Sequence, residues 1–420
     1  MSSSVASSRT LASAEQARPR VLFLTGHLPY PPISGGRRRE FELIRRLCDR
    51  IDFDVAVISK TPDEDAANAS AFRRHCADLH IWPAVQPPSN YGFPRQPLLA
   101  LRHWAPEATE FVERRVRGGG VDVIHVEGFY LMHHVPEGSS VPVLLVEQNV
   151  EYNIWHQRMK LARGRRQRRR NLAEYAVTLQ AEIEAWKRGS LCAAVTEEDR
   201  ATMRAAVPDL DVRLIPDGAD HASSIDGASL LPPSEPAKTD EPVVAFVANF
   251  GYLPNVDAAL YLTERIMPRV AAKLPSVRLL LVGNAPPPEI QALESDRVTV
   301  TGRVPAVEPY LDAADVVVCP LREGGGVKVK VLEALTRGKA VVTTSVGAQG
   351  LSAGATDALV VQDDARSFAR AVTRLLLDAE ERRRLEKAAE QFAMTLPTWA
   401  QAAEALAECY TDLVALARRT

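Results

Sequence analysis

The stretch from Arg322 to Val342, REGGGVKVKVLEALTRGKAVV, combines residue types that suit the binding of an anion. Its three consecutive glycines, Gly324 to Gly326, permit a tight turn and let a ligand come close to the backbone. The apolar run that follows predicts a helix, whose N-terminus points free N–H groups and a positive dipole end at a ligand. With Lys328 and Lys330 beside the turn, the pattern indicates a phosphate site. A plain connection with solvated lysines fits the same residues, so the surrounding elements must decide.

Short apolar runs alternate with helical patterns along most of the chain, as is typical of βαβ units built around parallel sheets. Seven such runs precede residue 220, and six follow residue 242. Between them, HASSIDGASLLPPSEPAKTDEP is rich in proline and serine and is interpreted as a linker. The sequence therefore predicts an α/β protein with two Rossmann-like domains whose parallel sheets face a central cleft.

These patterns also set the expected domain boundaries. We expect a disordered tail over residues 1–19, a first domain over 20–220, the linker over 221–242, a second domain over 243–395, and a C-terminal helix over 396–420 that packs back toward the first domain. Ligands of such sheets bind at the carboxyl ends of the strands, and both glycine-rich stretches follow a strand. The first of them, around Gly35 and Gly36, is neither a Walker A loop nor a GxGxxG fingerprint, which argues against an ATPase or a classical dehydrogenase.

The composition is that of an ordinary globular protein, since 420 residues with 46% hydrophobic content provide enough chain for two cores. A formal net charge of −2 gives no overall attraction to nucleic acid, which we do not expect as a partner. The five cysteines include no close pair, and residues 1–19 lack the apolar core of a signal peptide. A reduced, cytoplasmic protein is therefore expected.

The run KLARGRRQRRR, Lys160 to Arg170, is a strong local exception to the balanced charge. It suits a solvated helix face, or else a patch that contacts an anionic acceptor or an anionic membrane surface. No apolar run reaches the roughly 20 residues of a membrane span, so the expected membrane contact is at most peripheral, at the inner face.

The order of motifs resembles the nucleotide-sugar site of GT-B glycosyltransferases, most closely the retaining bacterial glycosyltransferase family four. The resemblance is carried by FVANFGYLPNVDAALYL, LLLVGNAPPPEI, VTVTGRVPAVEPYLDAADVVVCPLREGGG, KVLEAL, GKAVVTT and GAQGL. It extends from about Arg20 to the end of the chain and is stronger in the second half than in the first. It implies a GT-B fold, a nucleoside-diphosphate sugar as the donor, and transfer with retention of configuration.

The resemblance also implies residue roles. Glu333 would take the ribose hydroxyls of the donor, and Lys328 and Lys330 would act on the diphosphate as catalytic cations. His125, in VDVIHVEG, matches a histidine that is common after the corresponding strand, and it is expected to be catalytic. The other expected donor-binding residues are Gly35, Gly36, Asn249, Arg303, Val304, Glu323, Gly324, Gly325, Gly326 and Val327.

The sequence departs from the family pattern at two places. Many members carry a second glutamate eight positions before the ribose-binding glutamate. In this chain that position is Gly325, and the nearest glutamate is Glu323. Members also often carry a histidine near the end of the VLLVEQN strand, where this chain has Gln148. An amide does not titrate, so Gln148 can form hydrogen bonds but cannot act as a base. The expected acceptor-binding residues are Gln148, Asn149, Glu151 and Tyr152.

No metal or other cofactor is expected, because lysines and a helix N-terminus can stabilise the negative charge that grows on a leaving diphosphate. The DxD-like string from Asp63 to Asp65 is interpreted as part of a surface loop. Four histidines have no clear partner in the sequence and are interpreted as structural: His27, His133, His134 and His156.

The expected function is retaining transfer of a sugar from a nucleoside-diphosphate sugar to a hydroxyl of a natural product, a glycan or a lipid-linked acceptor. One alternative is a nucleotide-sugar epimerase of the same architecture, which needs acid and base groups in the cleft. A second alternative is a non-catalytic binding protein. The excess of arginine over lysine and the abundance of alanine are typical of a GC-rich bacterial genome.

Overall fold

The computed structural model describes residues 18–88, 95–162, 164–220 and 241–419, which contain two parallel β-sheets. The strands of the first sheet are β1 Arg20–Thr25, β2 Asp52–Ser59, β3 Asp78–Pro83, β4 Val123–Glu127, β5 Val143–Glu147, β6 Leu191–Ala194 and β7 Val212–Leu214. The helices around it are α1 Gly35–Leu47, α2 Pro62–Phe72, α3 Leu98–Leu101, α4 Pro106–Gly118, α5 Glu151–Leu161, α6 Arg165–Arg188 and α7 Glu197–Ala206. Both faces of the sheet are covered, which explains why its strands are continuous apolar runs.

The second sheet repeats this plan with shorter strands. Its strands are β8 Val243–Val247, β9 Arg278–Val282, β10 Val298–Val300, β11 Val316–Cys319, β12 Val341–Thr343 and β13 Val360–Val361. Its helices are α8 Leu253–Tyr261, α9 Met267–Ala271, α10 Pro288–Gln291, α11 Glu308–Ala313, α12 Val329–Thr336, α13 Ala365–Leu377 and α14 Ala379–Ala393. A single core of buried residues joins the two faces of this sheet to their helices.

The strand order decides where ligands can bind. The first sheet runs β3-β2-β1-β4-β5-β6-β7 and the second β10-β9-β8-β11-β12-β13, so the order reverses between β1 and β4 and again between β8 and β11. The crevice outside the carboxyl ends of the strands at such a reversal is the usual binding site of doubly wound sheets. Both glycine-rich stretches lie there, after β1 and after β11. The predicted fold of two Rossmann-like domains is confirmed.

The last helix, α15 Trp399–Ala417, packs on the first sheet although it follows the second. Trp399, Leu406 and Tyr410 are buried among the side chains of β1, β2 and α1. A Cβ on Gly218 would lie 2.3 Å from the backbone nitrogen of Trp399, so the end of the first domain lies directly against the start of this helix. The expected tail over residues 1–19 and the linker over 221–242 lie almost wholly outside the described residues.

Gly283, which follows β9, gives a test of how closely the second domain is packed. It has a φ of 144°, and a Cβ there would lie 1.8 Å from the carbonyl oxygen of Ala248. The clash is with backbone, so no rotamer relieves it. We expect Gly283→Ala to lower the free energy of unfolding by about 2 kcal/mol or more, measured by chemical denaturation, because left-handed strain alone costs on the order of 1–3 kcal/mol.

Gly118→Ala is the matched control for this variant. Gly118 is the last residue of α4, and a Cβ there would meet nothing within 4 Å. Its replacement by alanine should leave the stability unchanged or slightly higher. Equal free energies of unfolding for the two variants would contradict the account of Gly283.

Candidate active site

The glycine loop, residues 324–327, joins β11 to α12 at the carboxyl edge of the second sheet. Gly324 and Gly326 have φ values of 145° and 60°, which residues with side chains rarely adopt. The ammonium of Lys328 donates to the carbonyl oxygens of Gly325 at 2.8 Å and of Gly326 at 2.7 Å. Burial lowers the pKa of Lys328 to about 8. Two of its N–H donors thus hold the loop, and its contact with a diphosphate stays a prediction.

The loop packs against the backbone of the first domain. A Cβ on Gly326 would lie 2.5 Å from the carbonyl oxygen of Gln148, and a Cβ on Gly325 would lie 2.9 Å from the Cβ of Asn149. A side chain at either position would push the domains apart. A glutamate at position 325, which the resemblance would imply, would collide with Asn149 in this structure.

Helix α5 of the first domain also binds this region through side chains. The amide of Gln157 accepts from the N–H of Gly324 at 2.9 Å and donates to the carbonyl oxygen of Gly324 at 3.1 Å. The guanidinium of Arg158 donates to Glu323 at 3.1 Å and lies 4.8 Å from the centre of the Trp155 ring. Glu323, which was predicted to bind the donor, therefore forms an ion pair with Arg158 of the other domain in this structure.

Lys330 lies in the first turn of α12, with its ammonium directed toward the end of β8. The Nζ atom is 2.5 Å from Oδ1 of Asn255 and 5.0 Å from the centre of the Phe246 ring. Burial lowers its pKa. Asn255 in turn donates to the backbone carbonyl of Asn249 at 2.7 Å, so the lysine and the predicted donor-binding Asn249 belong to one network. The sequence analysis missed Asn255, although it lies inside the motif FVANFGYLPNVDAALYL.

Glu333 lies one turn beyond Lys330 on α12 and forms an ion pair across the cleft with Arg38 of α1. Both side chains are largely buried, with 15% and 23% of their surfaces exposed. Glu333, the residue predicted to bind the ribose, thus faces the first domain. Arg303 and Val304 lie after the edge strand β10: Arg303 is exposed, and Val304 packs on the core of the second domain. Their place beside a nucleobase stays a prediction.

The facing loop of the first domain begins α1. Ser34 caps the helix, and Gly35 and Gly36 are its first two residues. A Cβ on Gly35 would lie 3.3 Å from the Val329 side chain, and a Cβ on Gly36 would lie 2.9 Å from Oε1 of Gln148. The two predicted glycines therefore let α1 point its N-terminus into the cleft beside the glycine loop.

Gln148 is oriented by two buried carboxylates. Its Nε2 donates to Glu127 at 2.9 Å and to Glu40 at 3.3 Å, so the amide nitrogen points into the first domain. The carbonyl Oε1 remains as the acceptor next to Gly36. This arrangement leaves Gln148 able to accept a hydrogen bond from a bound hydroxyl.

Asn149 and Glu151 lie at the start of α5, next to the glycine loop. Asn149 donates to Glu151 at 3.3 Å, and burial raises the pKa of Glu151 to about 7. The backbone N–H groups of Glu151 and Tyr152 donate to the carboxylate of Glu182 at 2.7 and 2.8 Å. A side chain from α6 therefore accepts the free N–H groups of the first turn of α5 and fixes the position of α5 against the cleft.

The prediction that Tyr152 binds the acceptor finds no support in the structure. Its side chain is buried, and its ring packs against those of Tyr175 and Trp186. Because α5 turns its apolar side toward α6, Tyr152 belongs to the core between the two helices.

The prediction that His125 is catalytic also finds no support in the structure. It is fully buried in β4, with its ring stacked on Phe23 at 4.2 Å. Its Nδ1 lies 2.6 Å from the hydroxyl of Tyr410, and its Nε2 lies 2.9 Å from Glu127. With both nitrogens occupied, His125 has no atom left for a ligand. It holds Glu127, which in turn holds Gln148.

The sequence analysis interpreted the string from Asp63 to Asp65 as part of a surface loop. In the structure it forms the first turn of α2. Asp65 is buried, where it accepts from Ser59 at 2.7 Å and pairs with Arg37 at 3.0 Å. Among the described residues, one group lies close enough to share a metal: Asp54, Asp78 and His80. It lies at the amino ends of β2 and β3, away from the cleft, and Arg115 is 2.6 Å from Asp54.

Three of the histidines interpreted as structural pack against neighbouring side chains. His134 contacts the hydroxyl of Thr109 at 2.7 Å and the backbone carbonyl of His103 at 2.8 Å, and burial lowers its pKa to about 4. His133 stacks on Trp104, and His156 packs against a tyrosine of α6. His27 differs from these, since it lies beside Glu40 at the cleft.

The arginine-rich run lies at the break between α5 and α6. Its described arginines from residue 165 onward form the exposed first turns of α6. Within the part of the chain that the structure describes, no helix is long and apolar enough to cross a bilayer.

Comparison with known sequences gives a family match over the second domain. Residues 241–378, which contain β8 through α13 and the glycine loop, match the family model "Glycosyl transferases group 1". One curated protein, an uncharacterized 44.6 kDa protein in the cps region of Klebsiella pneumoniae, is 25% identical over 136 residues. That match spans 30% of this chain and 35% of the Klebsiella protein.

Comparison with solved structures extends over both domains. Sucrose-phosphate synthase from Thermosynechococcus elongatus has a TM-score of 0.68 at 19% identity, covering 95% of this chain and all of its own. Anabaena HepE in complex with UDP and glucose has a TM-score of 0.63 at 16% identity, covering 94% of this chain and all of its own. A UDP-N-acetylglucosamine 2-epimerase is less similar, with a TM-score of 0.51 at 13% identity, covering 88% of this chain and 91% of its own. The fold of this chain is therefore that of the GT-B glycosyltransferases.

Proposed function

We propose that this protein is a glycosyltransferase that moves a sugar from a nucleoside-diphosphate sugar to a hydroxyl of an acceptor. Two findings together support the proposal. The glycosyltransferase family match covers the second domain, and the glycine loop, Lys330 and Glu333 of that domain line the cleft between the domains. The complex of HepE with UDP and glucose makes UDP-sugars the first donors to test. A natural product, a glycan or a lipid-linked sugar remains the proposed class of acceptor.

Charge and backbone donors support this assignment. When the bond from the sugar to the phosphate breaks, negative charge grows on the leaving nucleoside diphosphate. Lys330, the N–H groups of the glycine loop and the N-terminus of α1 would face that charge, and such preorganised groups stabilise a transition state more than a ground state. Glu333 would bind the ribose, with Arg38 beside it.

Retention of configuration is proposed from the resemblance to family four. In that mechanism the acceptor hydroxyl attacks the face from which the phosphate departs. The epimerase alternative has less support, because the epimerase structure is the less similar one and the glycosyltransferase family matches the donor domain.

Lys330→Ala should lower kcat by about 100-fold or more, because it removes a charge that faces the leaving diphosphate. The measurement is the release of UDP from UDP-glucose, with the thermal unfolding curve as a check on the fold. Lys339→Ala is the matched control: Lys339 follows the C-terminal end of α12 and donates to the backbone carbonyl of Asp312 in α11. Turnover by Lys330→Ala at the wild-type level would remove Lys330 from the site.

Glu333→Gln should weaken UDP binding by about tenfold, because a hydrogen bond to a charged group contributes roughly 1.5–3 kcal/mol. The ribose contact is isolated by calorimetric titration with UDP and 2′-deoxy-UDP. The wild-type protein should prefer UDP, and Glu333→Gln should lose that preference. Arg38→Met separates loss of the ribose contact from loss of the ion pair, since it breaks the pair and keeps the carboxylate. An equal preference for UDP in wild type and Glu333→Gln would exclude the ribose role.

Activity should survive removal of divalent cations, because the lysine and the backbone donors supply the positive charge that a metal brings in other transferases. The rate of UDP release is compared before and after dialysis against EDTA. A complete loss that added Mg²⁺ or Mn²⁺ restores would show that the donor is bound through a metal.

A further inference from the structure

His27 lies at the point of the first sheet where a ligand is expected. It follows β1 by two residues, at the reversal of strand order between β1 and β4. It also adjoins the site already described: its Cε1 would lie 3.5 Å from a Cβ on Gly36, whose other neighbour is Oε1 of Gln148. Gln148 in turn contacts the glycine loop through its backbone. The imidazole therefore lies on the first-domain wall of the cleft.

One nitrogen of this imidazole faces a buried carboxylate. Nε2 of His27 lies 3.0 Å from Oε1 of Glu40, within ion-pair distance although the ring is not aligned as in a regular hydrogen bond. Glu40 is fully buried and is fixed by two further donors, the Thr25 hydroxyl at 2.7 Å and the Gln148 amide at 3.3 Å. A carboxylate held in this way favours a proton on the nearer ring nitrogen and stabilises an imidazolium.

The other nitrogen distinguishes His27 from the core histidines. His125 and His134 each have partners for both ring nitrogens and are fully buried. Nδ1 of His27 has no hydrogen-bond partner among the described residues, and 26% of the side chain is exposed. A neutral imidazole with its proton on Nε2, the nitrogen beside Glu40, carries its lone pair on Nδ1.

We propose that His27, oriented by Glu40, is the general base that accepts the proton of the acceptor hydroxyl; the inference rests on the proposed glycosyl transfer. The hydroxyl proton moves to Nδ1 of His27 as the hydroxyl oxygen forms a bond with the anomeric carbon. The bond from that carbon to the phosphate oxygen breaks, and its electron pair leaves with the nucleoside diphosphate. The imidazolium that results is neutralised by Glu40. His27 thus takes the proton that an unassisted front-face mechanism leaves to the phosphate.

The test uses water as the acceptor, so that it does not depend on the natural one. UDP-glucose is incubated with the full-length protein, and the release of UDP is measured. His27→Ala should lower kcat by about 100-fold, the usual contribution of a general base, while the Kd for UDP stays within about twofold of wild type. Imidazole added to the buffer should restore a large part of the lost rate to His27→Ala and should not accelerate the wild type.

Two further variants separate catalysis from packing. Glu40→Gln keeps the size and the hydrogen-bonding capacity of the buried side chain but removes its charge, and it should lower kcat by about tenfold without changing the Kd for UDP. His75→Ala is the control, since His75 packs against Phe41 on the same helix as Glu40 and lies outside the site. It should leave both kcat and Kd unchanged.

Three results would overturn the proposal. The first is a His27→Ala variant that releases UDP at the wild-type rate, and the second is a loss of rate that imidazole does not restore and that is matched by a loss of UDP affinity. The third is a wild-type protein that binds UDP and converts UDP-glucose into another nucleotide sugar without releasing UDP. That last result contradicts the proposed function itself, whereas the first two contradict only the role of His27.

Discussion

The close approach of two backbones is the constraint on which the site depends. Gly325 and Gly326 bring the loop after β11 against Gln148 and Asn149, at distances that leave no room for a Cβ. Gln157 then closes the contact with two hydrogen bonds to Gly324. Without this approach the cations and backbone donors of one domain would not face the polar side chains of the other. The absence of a Cβ at these glycines therefore matters for the position of the site as much as their backbone conformation does.

The first-domain wall is a chain of buried polar groups in which each member orients the next. Tyr410 contacts His125, His125 contacts Glu127, and Glu127 shares Gln148 with Glu40. Buried carboxylates are costly unless they are fully hydrogen-bonded. Each of the two carboxylates in this series, Glu127 and Glu40, has at least two polar partners. The same bonds that offset the cost of burial fix the direction of the Gln148 carbonyl and hold the Glu40 carboxylate beside the His27 ring. Stability and the geometry of the site therefore depend on the same atoms.

The sequence predicted the fold well, because buried parallel strands are continuous apolar runs that can be recognised without their partners. It also identified the glycine loop, whose residue types reflect a local backbone requirement. Its errors concern side-chain direction and distant partners. Nothing in VDVIHVEG shows that His125 points into the core, and nothing near His27 indicates Glu40 on the following helix. The helical start at Asp63 had a readable signal, since Pro62 followed by acidic residues is typical of a first turn.

The packing of α15 on the first sheet bears on how the chain is synthesised. Domains generally fold as units, the N-terminal one first as the chain leaves the ribosome. Here Trp399, Leu406 and Tyr410 complete the core of that first domain, and Tyr410 anchors its buried polar chain. Part of one face of the first sheet must therefore stay uncovered until the second domain and the final helix have been synthesised. The core of the nascent first domain thus stays incomplete while the second domain is translated, and premature termination before Trp399 leaves both that core and its buried polar chain unfinished.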